Sequence, residues 1–317
     1  MMSGLGHLLA GRAVQAMLVV LVIGIVSFAM MQALPGDAAF RIAAGRYGYD
    51  IMDAQAAEAV RQELGLDRPL IEQFGSWLGQ LARLDLGNSL VSGQPVWEEI
   101  SHQLGASLAL ALAAVLVSIL IAVPVGVAAG MTPGGWFDRM TLALSVGIRS
   151  IPAFALGVIL MLLLAVQVKL LPVAGYGAPK YFVLPSLTLG LGLAAVSNRV
   201  IRDAVVIAMD SPWYAFARTK GLSRRAALVR HVAQNVSVPA VAYIGVQLAY
   251  LIEGVVIIEA VFAWPGIGHA LVHAIFERDV PMVQGTALTL GLLFVVLSLA
   301  VDLLCRVLDP RGAGTGG

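Results

Sequence analysis

Long runs of apolar residues dominate the chain and recur six times. They lie near 10–34, 105–130, 140–166, 184–206, 237–261 and 284–306. Each run holds about 20 residues or more, and an α-helix of that length crosses the roughly 30 Å hydrocarbon core of a bilayer. The pattern therefore predicts an all-α integral membrane protein with six transmembrane helices.

The first run raises the alternative of a cleaved signal peptide. Residues 13–34 are predominantly apolar after a short start that contains His7 and Arg12. The apolar core of a signal peptide is typically only about 7–15 residues long. We therefore expect this run to be retained as the first transmembrane helix.

Composition agrees with the membrane class. Apolar residues make up 59% of the chain, charged residues 12%, and the mean hydropathy is +0.87. Soluble domains are usually about 45–50% apolar. The net charge of +1 argues neither for nor against a nucleic-acid partner. The single cysteine, Cys305, excludes a disulfide framework and a thiolate metal site.

Two prolines and several glycines interrupt the apolar runs. Pro124 and Pro152 lie inside the second and third runs. Because neighbouring helices can satisfy the carbonyl groups that a proline leaves free, both residues predict kinks that face the helix bundle. The glycines in these runs would allow helices to approach closely; they are Gly126, Gly130, Gly157, Gly190 and Gly192.

The distribution of Lys and Arg over the short loops predicts the orientation. With the N-terminus inside, the short outer loops carry only Lys169, Lys180 and Arg278. The inner segments then carry most of the basic residues, so both termini are expected to be cytoplasmic. These inner residues are Arg12, Arg139, Arg202, Arg218, Lys220, Arg224, Arg225, Arg230, Arg306 and Arg311.

This topology leaves one large outer segment, 35–103, between the first two spans. The stretch 53–67 predicts a helix capped by Asp53 and ended by Gly65. The chain thus divides into an N-terminus with the first span (1–34), the outer segment (35–103), a five-helix core (104–306) that includes an inner loop at 207–236, and a tail (307–317).

The inner loop contains the stretch SPWYAFARTKGLSRRAALVRHVAQN, residues 211–235. Ser211 followed by Pro212 is typical of a helix start, and Gly221 is typical of a left-handed helix end. Ser223 can cap a second short helix. The loop has two interpretations: a basic topology anchor at the lipid headgroups, or a shaped docking element with an exposed aromatic cluster.

The loop resembles the EAA loop of permease subunits of binding-protein-dependent ABC importers, in the branch that transports dipeptides, oligopeptides or nickel. Further blocks resemble the same branch in order and spacing. They are LPGDAA (34–39), LGLDRPLIEQFGSWL (64–78), LDLGNSL (84–90), SIPAF (150–154), LPVAGYG (171–177), VVIIEAVFAWPGIG (255–268), RDVPMVQG (278–285) and VDLLCRVLDPR (301–311).

The resemblance implies a MetI-like permease fold with an outer insertion after the first helix, as in the first permease of a heteromeric pair. It also implies a bacterial inner-membrane location. The expected partners are a second homologous permease, two cytoplasmic ATPase subunits, an extracytoplasmic solute-binding protein and membrane lipid. ATP and magnesium would be bound by the ATPase subunits, and no cofactor is expected in this chain.

The resemblance further implies that the loop couples ATP hydrolysis to the membrane helices. Ala217 and Gly221 match the second Ala and the Gly of the EAA loop, whereas Ala215 stands where other branches have Glu and His231 where they have Ile. A contact that depends on that Glu is therefore not expected. The residues expected to contact the ATPase are Trp213, Tyr214, Phe216, Ala217, Arg218, Gly221, Leu222 and Arg225.

Among the charged residues within the predicted spans, three are candidates for a specific role. Glu253 is either a substrate-pathway residue or a structural residue that pairs with an arginine, and Arg149 is a candidate partner. Glu259 matches a Glu of the family and is expected to act as a structural cap.

One metal site was considered. His269, His273 and Glu277 are spaced to share one helix face, and two imidazoles with a carboxylate suit Ni²⁺ or Zn²⁺. The alternative, which we favour, is an interfacial helix with incidental imidazoles.

No Walker ATP-binding motif, zinc-protease motif or nucleophile-elbow motif occurs in the chain, so we do not expect an enzyme. An importer permease explains the sequence best. Alternatives are a secondary transporter, which would be expected to show internal repeats or chains of intramembrane charges, and a scaffold whose loop only recruits a partner. Peptide import is the expected function, with nickel or a metal chelate as the alternative substrate.

Overall fold

The computed structural model describes residues 2–33, 36–47, 54–65, 67–83, 85–227 and 233–308. Across these ranges all regular elements are helical, apart from one isolated bridge between Asn88 and Pro95. The predicted all-α class is confirmed.

The helices follow one another along the chain with short connections. The first four are α1 (Met2–Ala33), α2 (Ala38–Tyr47), α3 (Ala54–Leu64) and α4 (Leu70–Ala82). The others are α5 (Val96–Met131), α6 (Trp136–Ser150), α7 (Ala153–Leu160) with a π-helical continuation (Met161–Gln167), α8 (Pro179–Met209), α9 (Pro212–Thr219), α10 (Arg224–Ala227), α11 (Ala233–Val261), α12 (Ile267–Glu277) and α13 (Val280–Leu308).

Four helices of the described ranges, α1, α5, α8 and α13, are long and apolar enough to cross a membrane. The bent pair formed by α6 and α7 gives a fifth span if it is counted as one. The remaining predicted run, 237–261, falls in α11, a continuous helix of 29 residues in which several side chains lie outside the described set. The multi-pass architecture is confirmed, and the count of six spans stays a prediction.

The third apolar run is broken where the sequence suggested a kink. Two helices that meet at Ile151–Pro152 differ in direction by 106°. Proline disfavours the helical conformation of the residue before it, and Ile151 is extended, with φ −94° and ψ 127°. The kink predicted at Pro152 is thus a full break between two helices, whereas Pro124 lies inside the continuous helix α5.

Contacts divide the chain into two compact units, each assembled from distant stretches of sequence. Unit 1 draws on 1–9, 108–264 and 294–317, and unit 2 on 10–107 and 265–293. In unit 1, α8 packs against α6, α7 and α11.

Two glycines of α5 let that helix approach α8 closely in unit 1. A Cβ atom added to Gly126 would lie 2.6 Å from the carbonyl oxygen of Asn198, and one added to Gly130 would lie 2.8 Å from that of Arg202. Close packing is also found at Gly157 and Gly190. Gly192 has no atom within 4 Å of an added Cβ, so the close approach predicted there was wrong.

Within the described residues of unit 2, two small apolar cores are found. The start of α5, helix α12 and the start of α13 share buried residues that include Val96, Ile100 and Ile267. Helices α2 and α3 share the second core. Helix α3 ends before Gly65, whose φ of +61° matches the predicted helix end, while the predicted cap Asp53 lies outside the described residues.

A buried carboxylate, that of Asp279, joins the two stretches of sequence that form unit 2. The Asp279 side chain accepts hydrogen bonds from the hydroxyl of Ser89 and from the backbone N–H groups of Leu90 (3.1 Å) and Val91 (3.4 Å). It also accepts one from the N–H of Met282 (3.2 Å), and so caps the start of α13. This contact joins the blocks LDLGNSL and RDVPMVQG within the folded unit.

Candidate functional site

The stretch 211–227 forms two short helices joined by a tight turn. Ser211 precedes α9, and its hydroxyl accepts a hydrogen bond from the N–H of Tyr214 at 3.4 Å. Gly221 has a φ of +85°, a conformation that glycine adopts at little cost. The hydroxyl of Ser223 accepts from the N–H of Ala226 at 3.2 Å and caps α10. The predicted helix–turn–helix is confirmed as far as Ala227.

One face of α9 is buried in unit 1. Tyr214 and Ala217 are 8% and 5% exposed, and Tyr214 belongs to an apolar cluster with Ile201 and Val205 of α8. The sequence had predicted an exposed aromatic cluster that included Tyr214. That placement was wrong, because a helix of two turns at the end of α8 buries the residues three apart on one side. Leu222 packs against the same cluster.

The opposite face of α9 is exposed and combines aromatic and basic groups. Phe216 is 61% exposed and Trp213 is 38% exposed. The ammonium group of Lys220 lies 4.5 Å from the centre of the Phe216 ring. The guanidinium of Arg218 donates to the carbonyl of Leu222 at 2.6 Å, which braces the glycine turn. The side chain of Arg225 lies outside the described set.

A buried ion cluster lies in unit 1 between α6 and α8. Asp138, in the first turn of α6, is 5% exposed. Its Oδ1 accepts from Arg199 (3.0 Å) and from Nε of Arg202 (3.1 Å), and its Oδ2 accepts from a terminal nitrogen of Arg202 (2.7 Å) and from the N–H of Gly134 (2.9 Å). All acceptor positions of the carboxylate are therefore used.

Neutral polar groups extend this cluster. Arg199 also donates to the hydroxyl of Thr141 and to the side-chain oxygen of Asn198, both at 2.9 Å. The amide of Asn198 donates to the hydroxyl of Ser145 at 2.9 Å. Sequence reasoning missed this cluster because Asp138 lies just before the apolar run 140–166, outside the predicted span. The signal that would have found it is the pair of arginines three residues apart within an apolar run.

The described residues show no contact between Arg149 and Glu253, the two charged residues proposed from the sequence as a pair. Arg149 lies in the last turn of α6 and is exposed, and nothing is described for the side chain of Glu253. Their pathway role stays a prediction. Glu259 is fully buried near the end of α11, and its role as a structural cap also stays a prediction.

The two histidines of α12 lie close together, and with Glu277 they were the less favoured, metal-binding interpretation of this helix. The rings of His269 and His273 lie edge to face, with centroids 4.5 Å apart. Burial, together with repulsion from His273, lowers the pKa of His269. Among the described residues no three His, Cys, Asp or Glu side chains come close enough to hold a metal ion, so Glu277 does not complete a site.

A multi-pass helical chain with a short helix pair at the end of a buried span has the architecture of a transporter's membrane subunit. Residues 122–313 match the profile of the binding-protein-dependent transport system inner membrane component, and residues 5–111 match the N-terminal profile of such membrane components. The chain belongs to this family. It is a multi-pass inner-membrane permease subunit of a binding-protein-dependent ABC importer, and its dipeptide/oligopeptide branch is confirmed.

Relatives match over nearly the full length of the chain. It is 36% identical over 290 residues to the glutathione transport system permease protein GsiC of Pectobacterium atrosepticum, covering 92% of this chain and 93% of the relative. It is 35% identical over 289 residues to the protein of the same name in Escherichia coli, covering 91% and 93%. These relatives are transport subunits, and the alternatives of a secondary transporter or a scaffold are set aside.

The fold also matches a solved transporter. The inward-facing MetNI methionine ABC transporter aligns with a TM-score of 0.53 and 20% identity, covering 66% of this chain and 96% of that chain. This likeness confirms the predicted MetI-like fold.

Proposed function

We propose that this permease imports short peptides and that glutathione is among them. The observation that carries the proposal is the similarity, along nine-tenths of the chain, to permeases named for glutathione transport. Glutathione is a tripeptide, so it falls within the peptide class that the sequence blocks indicate. Nickel or a metal chelate is the competing substrate.

In this proposal the chain forms half of a translocation pathway beside a second homologous permease. A solute-binding protein delivers the peptide from outside, and both termini of the chain lie in the cytoplasm. Glu253 and Arg149 are the candidate pathway residues. The basic count of the predicted inner loops supports this orientation.

The outward face of α9 is proposed to dock onto the cytoplasmic ATPase subunits, which bind ATP and magnesium. Phe216 and Trp213 offer apolar contact area, and Lys220 supplies a cation beside them. Aromatic anchors flanked by basic groups are typical of interface centres. The inner face of α9, formed by Tyr214 and Ala217, fixes the docked helix to α8.

The substrate is tested in a host strain that lacks this chain and keeps its partner subunits. Uptake of labelled glutathione, a labelled dipeptide and labelled Ni²⁺ is measured with and without the chain restored. We expect peptide uptake to depend on the chain. Dependence of Ni²⁺ uptake alone would contradict the peptide assignment.

The docking role is tested with Gly221→Trp and a matched control, Gly93→Trp. Both glycines have positive φ, +85° and +75°, and an added Cβ would meet no atom within 4 Å at either position. The backbone cost of the two changes is therefore similar, about 1 kcal/mol. We expect Gly221→Trp to lower peptide uptake by about tenfold or more, because it places a bulky group in the docking face. Equal uptake by the two variants would contradict docking at this turn.

A further inference from the structure

The last turns of α8 have two working faces that serve different neighbours. One face carries Ile201 and Val205, which share the apolar cluster with Tyr214 of α9. The other carries Arg199 and Arg202, which bind Asp138 of α6. The same two turns of α8 therefore contact both the docking helix and the first half of the broken span.

A third helix supports these turns from behind. Gly126 and Gly130 of α5 approach the carbonyl groups of Asn198 and Arg202 so closely that a Cβ would overlap them. The short connection from α5 to α6 also joins the cluster, because the N–H of Gly134 donates to Asp138. Segment 198–202 is thus held by α5, α6 and the turn between them.

The contacts of α8 with α9 and with α6 differ in how they respond to force. The contact with α9 is apolar, and its geometry tolerates small adjustments between side chains. The contact with α6 is made by a buried carboxylate that accepts four hydrogen bonds, three of them from two arginines of α8. Separating it would leave a buried charge without its partner, which is strongly unfavourable. The α6–α8 contact is therefore the stiffer joint.

We propose that Asp138 is the positioning residue that makes α6 move together with α8 when the ATPase displaces α9. The inference rests on the docking role proposed for α9 and adds the next step inside the membrane subunit. Movement of α8 would carry the first half of the broken span with it, up to the 106° bend at Pro152. Asp138 itself touches neither the ATPase nor, in this proposal, the peptide.

The test uses the assembled importer in liposomes and compares Asp138→Asn with Asp203→Asn. Both carboxylates pair with Arg202, at 2.7 Å and 2.9 Å, but the side chain of Asp203 is 63% exposed and that of Asp138 only 7%. The chemical change is the same in the two variants, whereas the burial differs and Asp138 also accepts hydrogen bonds from Arg199 and Gly134. The readouts are peptide transported and ATP hydrolysed, both per assembled complex, and Asp138→Glu tests rescue by a conserved charge.

We expect Asp138→Asn to lower the amount of peptide transported per ATP by about tenfold, and Asp203→Asn to leave it within about twofold. Asp138→Glu should recover most of the ratio. A parallel fall of transport and hydrolysis in Asp138→Asn, with the ratio unchanged, would show a merely structural role and overturn the proposal.

Two further variants keep the outcome decisive. If Asp138→Asn does not assemble, Arg202→Gln replaces it, because this change removes both hydrogen bonds that Arg202 donates to Asp138 and leaves Arg199 beside the carboxylate. A normal ratio in Arg202→Gln then overturns the proposal. Gly221→Trp is measured alongside: a low ratio there with a normal ratio in Asp138→Asn overturns this inference alone, and a normal ratio in Gly221→Trp overturns the docking role as well.

Discussion

Two glycines of α5, Gly126 and Gly130, determine how close α5 comes to α8. They lie four residues apart, which places both on one face of the helix. Association of helices within a membrane depends on close packing, since lipid tails are as apolar as the side chains they would replace. Because both glycines lack a side chain and lie on the face toward α8, together they allow the close packing of α5 against α8 in unit 1.

Gly126→Val is expected to destabilise the permease by about 1–3 kcal/mol, because its Cβ would lie 2.6 Å from a backbone oxygen of α8. Gly192→Val is the matched control, since an added Cβ there meets no atom within 4 Å. Thermal unfolding of the purified protein in detergent measures both. Equal melting temperatures for the two variants would contradict the close approach.

Asp279→Asn is expected to destabilise unit 2 by about 1–3 kcal/mol, because its side chain accepts several hydrogen bonds and is 2% exposed. Asp85→Asn is the control, because the Asp85 side chain accepts from the N–H of Gly87 in an exposed turn. Limited proteolysis of segment 36–107 reports the change. Unaltered cleavage in Asp279→Asn would show that the contact with residues 89–91 is dispensable.

At the residue scale, sequence patterns predicted backbone geometry better than side-chain partners. The caps Ser211 and Ser223 and the turn at Gly221 were predicted correctly because each depends on neighbours within four residues. The ion pairs of Asp138 join residues 61 and 64 positions apart, and hydrophobicity alone gives no register between two helices. The burial of Tyr214 was missed for the same reason.

At the scale of elements, α9 is a short helix whose two faces differ in exposure. Its inner face packs on α8 and its outer face remains exposed. The small exposed residue Ala215 lies on the outer face, at the position where other branches of the family have Glu. A label attached there would report on docking with little disturbance to the fold.

Ala215→Cys, in a Cys305→Ser background, is expected to react quickly with a maleimide in the isolated permease and slowly in the presence of the ATPase subunits. The physical reason is that the docked partner would cover the exposed face of α9. Trp97→Cys is the control, because Trp97 is exposed in segment 35–103 and should react at the same rate in both states. Unchanged labelling of Ala215→Cys on adding the ATPase would contradict docking through this face.

The broken span shows the limit of counting apolar residues. Residues 140–166 are apolar enough to span, yet the chain turns by 106° in the middle of the run. Hydropathy measures whether a segment favours the membrane over water, and it carries no information on the direction of the helix axis. Pro152 was visible in the sequence, but whether a proline bends or breaks a helix depends on what its neighbours offer to the freed carbonyl groups.

At the scale of the whole molecule, both units are built from stretches that are far apart in the chain. Unit 2 combines 10–107 with 265–293, and residues 108–264, which lie between these stretches, belong to unit 1. The order of the sequence blocks identified the family, because such blocks are compared along the chain. Their grouping into units depends on tertiary contacts and required the structure.

The contact between Ser89 and Asp279 spans 190 positions, and this distance has a consequence for synthesis in the cell. The segment that carries Ser89 leaves the ribosome long before α12 and α13 exist, so its core lacks Ile267 and the rest of its partners for most of translation. A nascent chain arrested at residue 264 should therefore be cleaved readily by trypsin at Arg46 and Arg61, whereas the completed chain, in which these side chains are 17% and 33% exposed, should be cut there more slowly. The core that Val96 and Ile100 share with Ile267 should therefore form only after α12 and the start of α13 have been made.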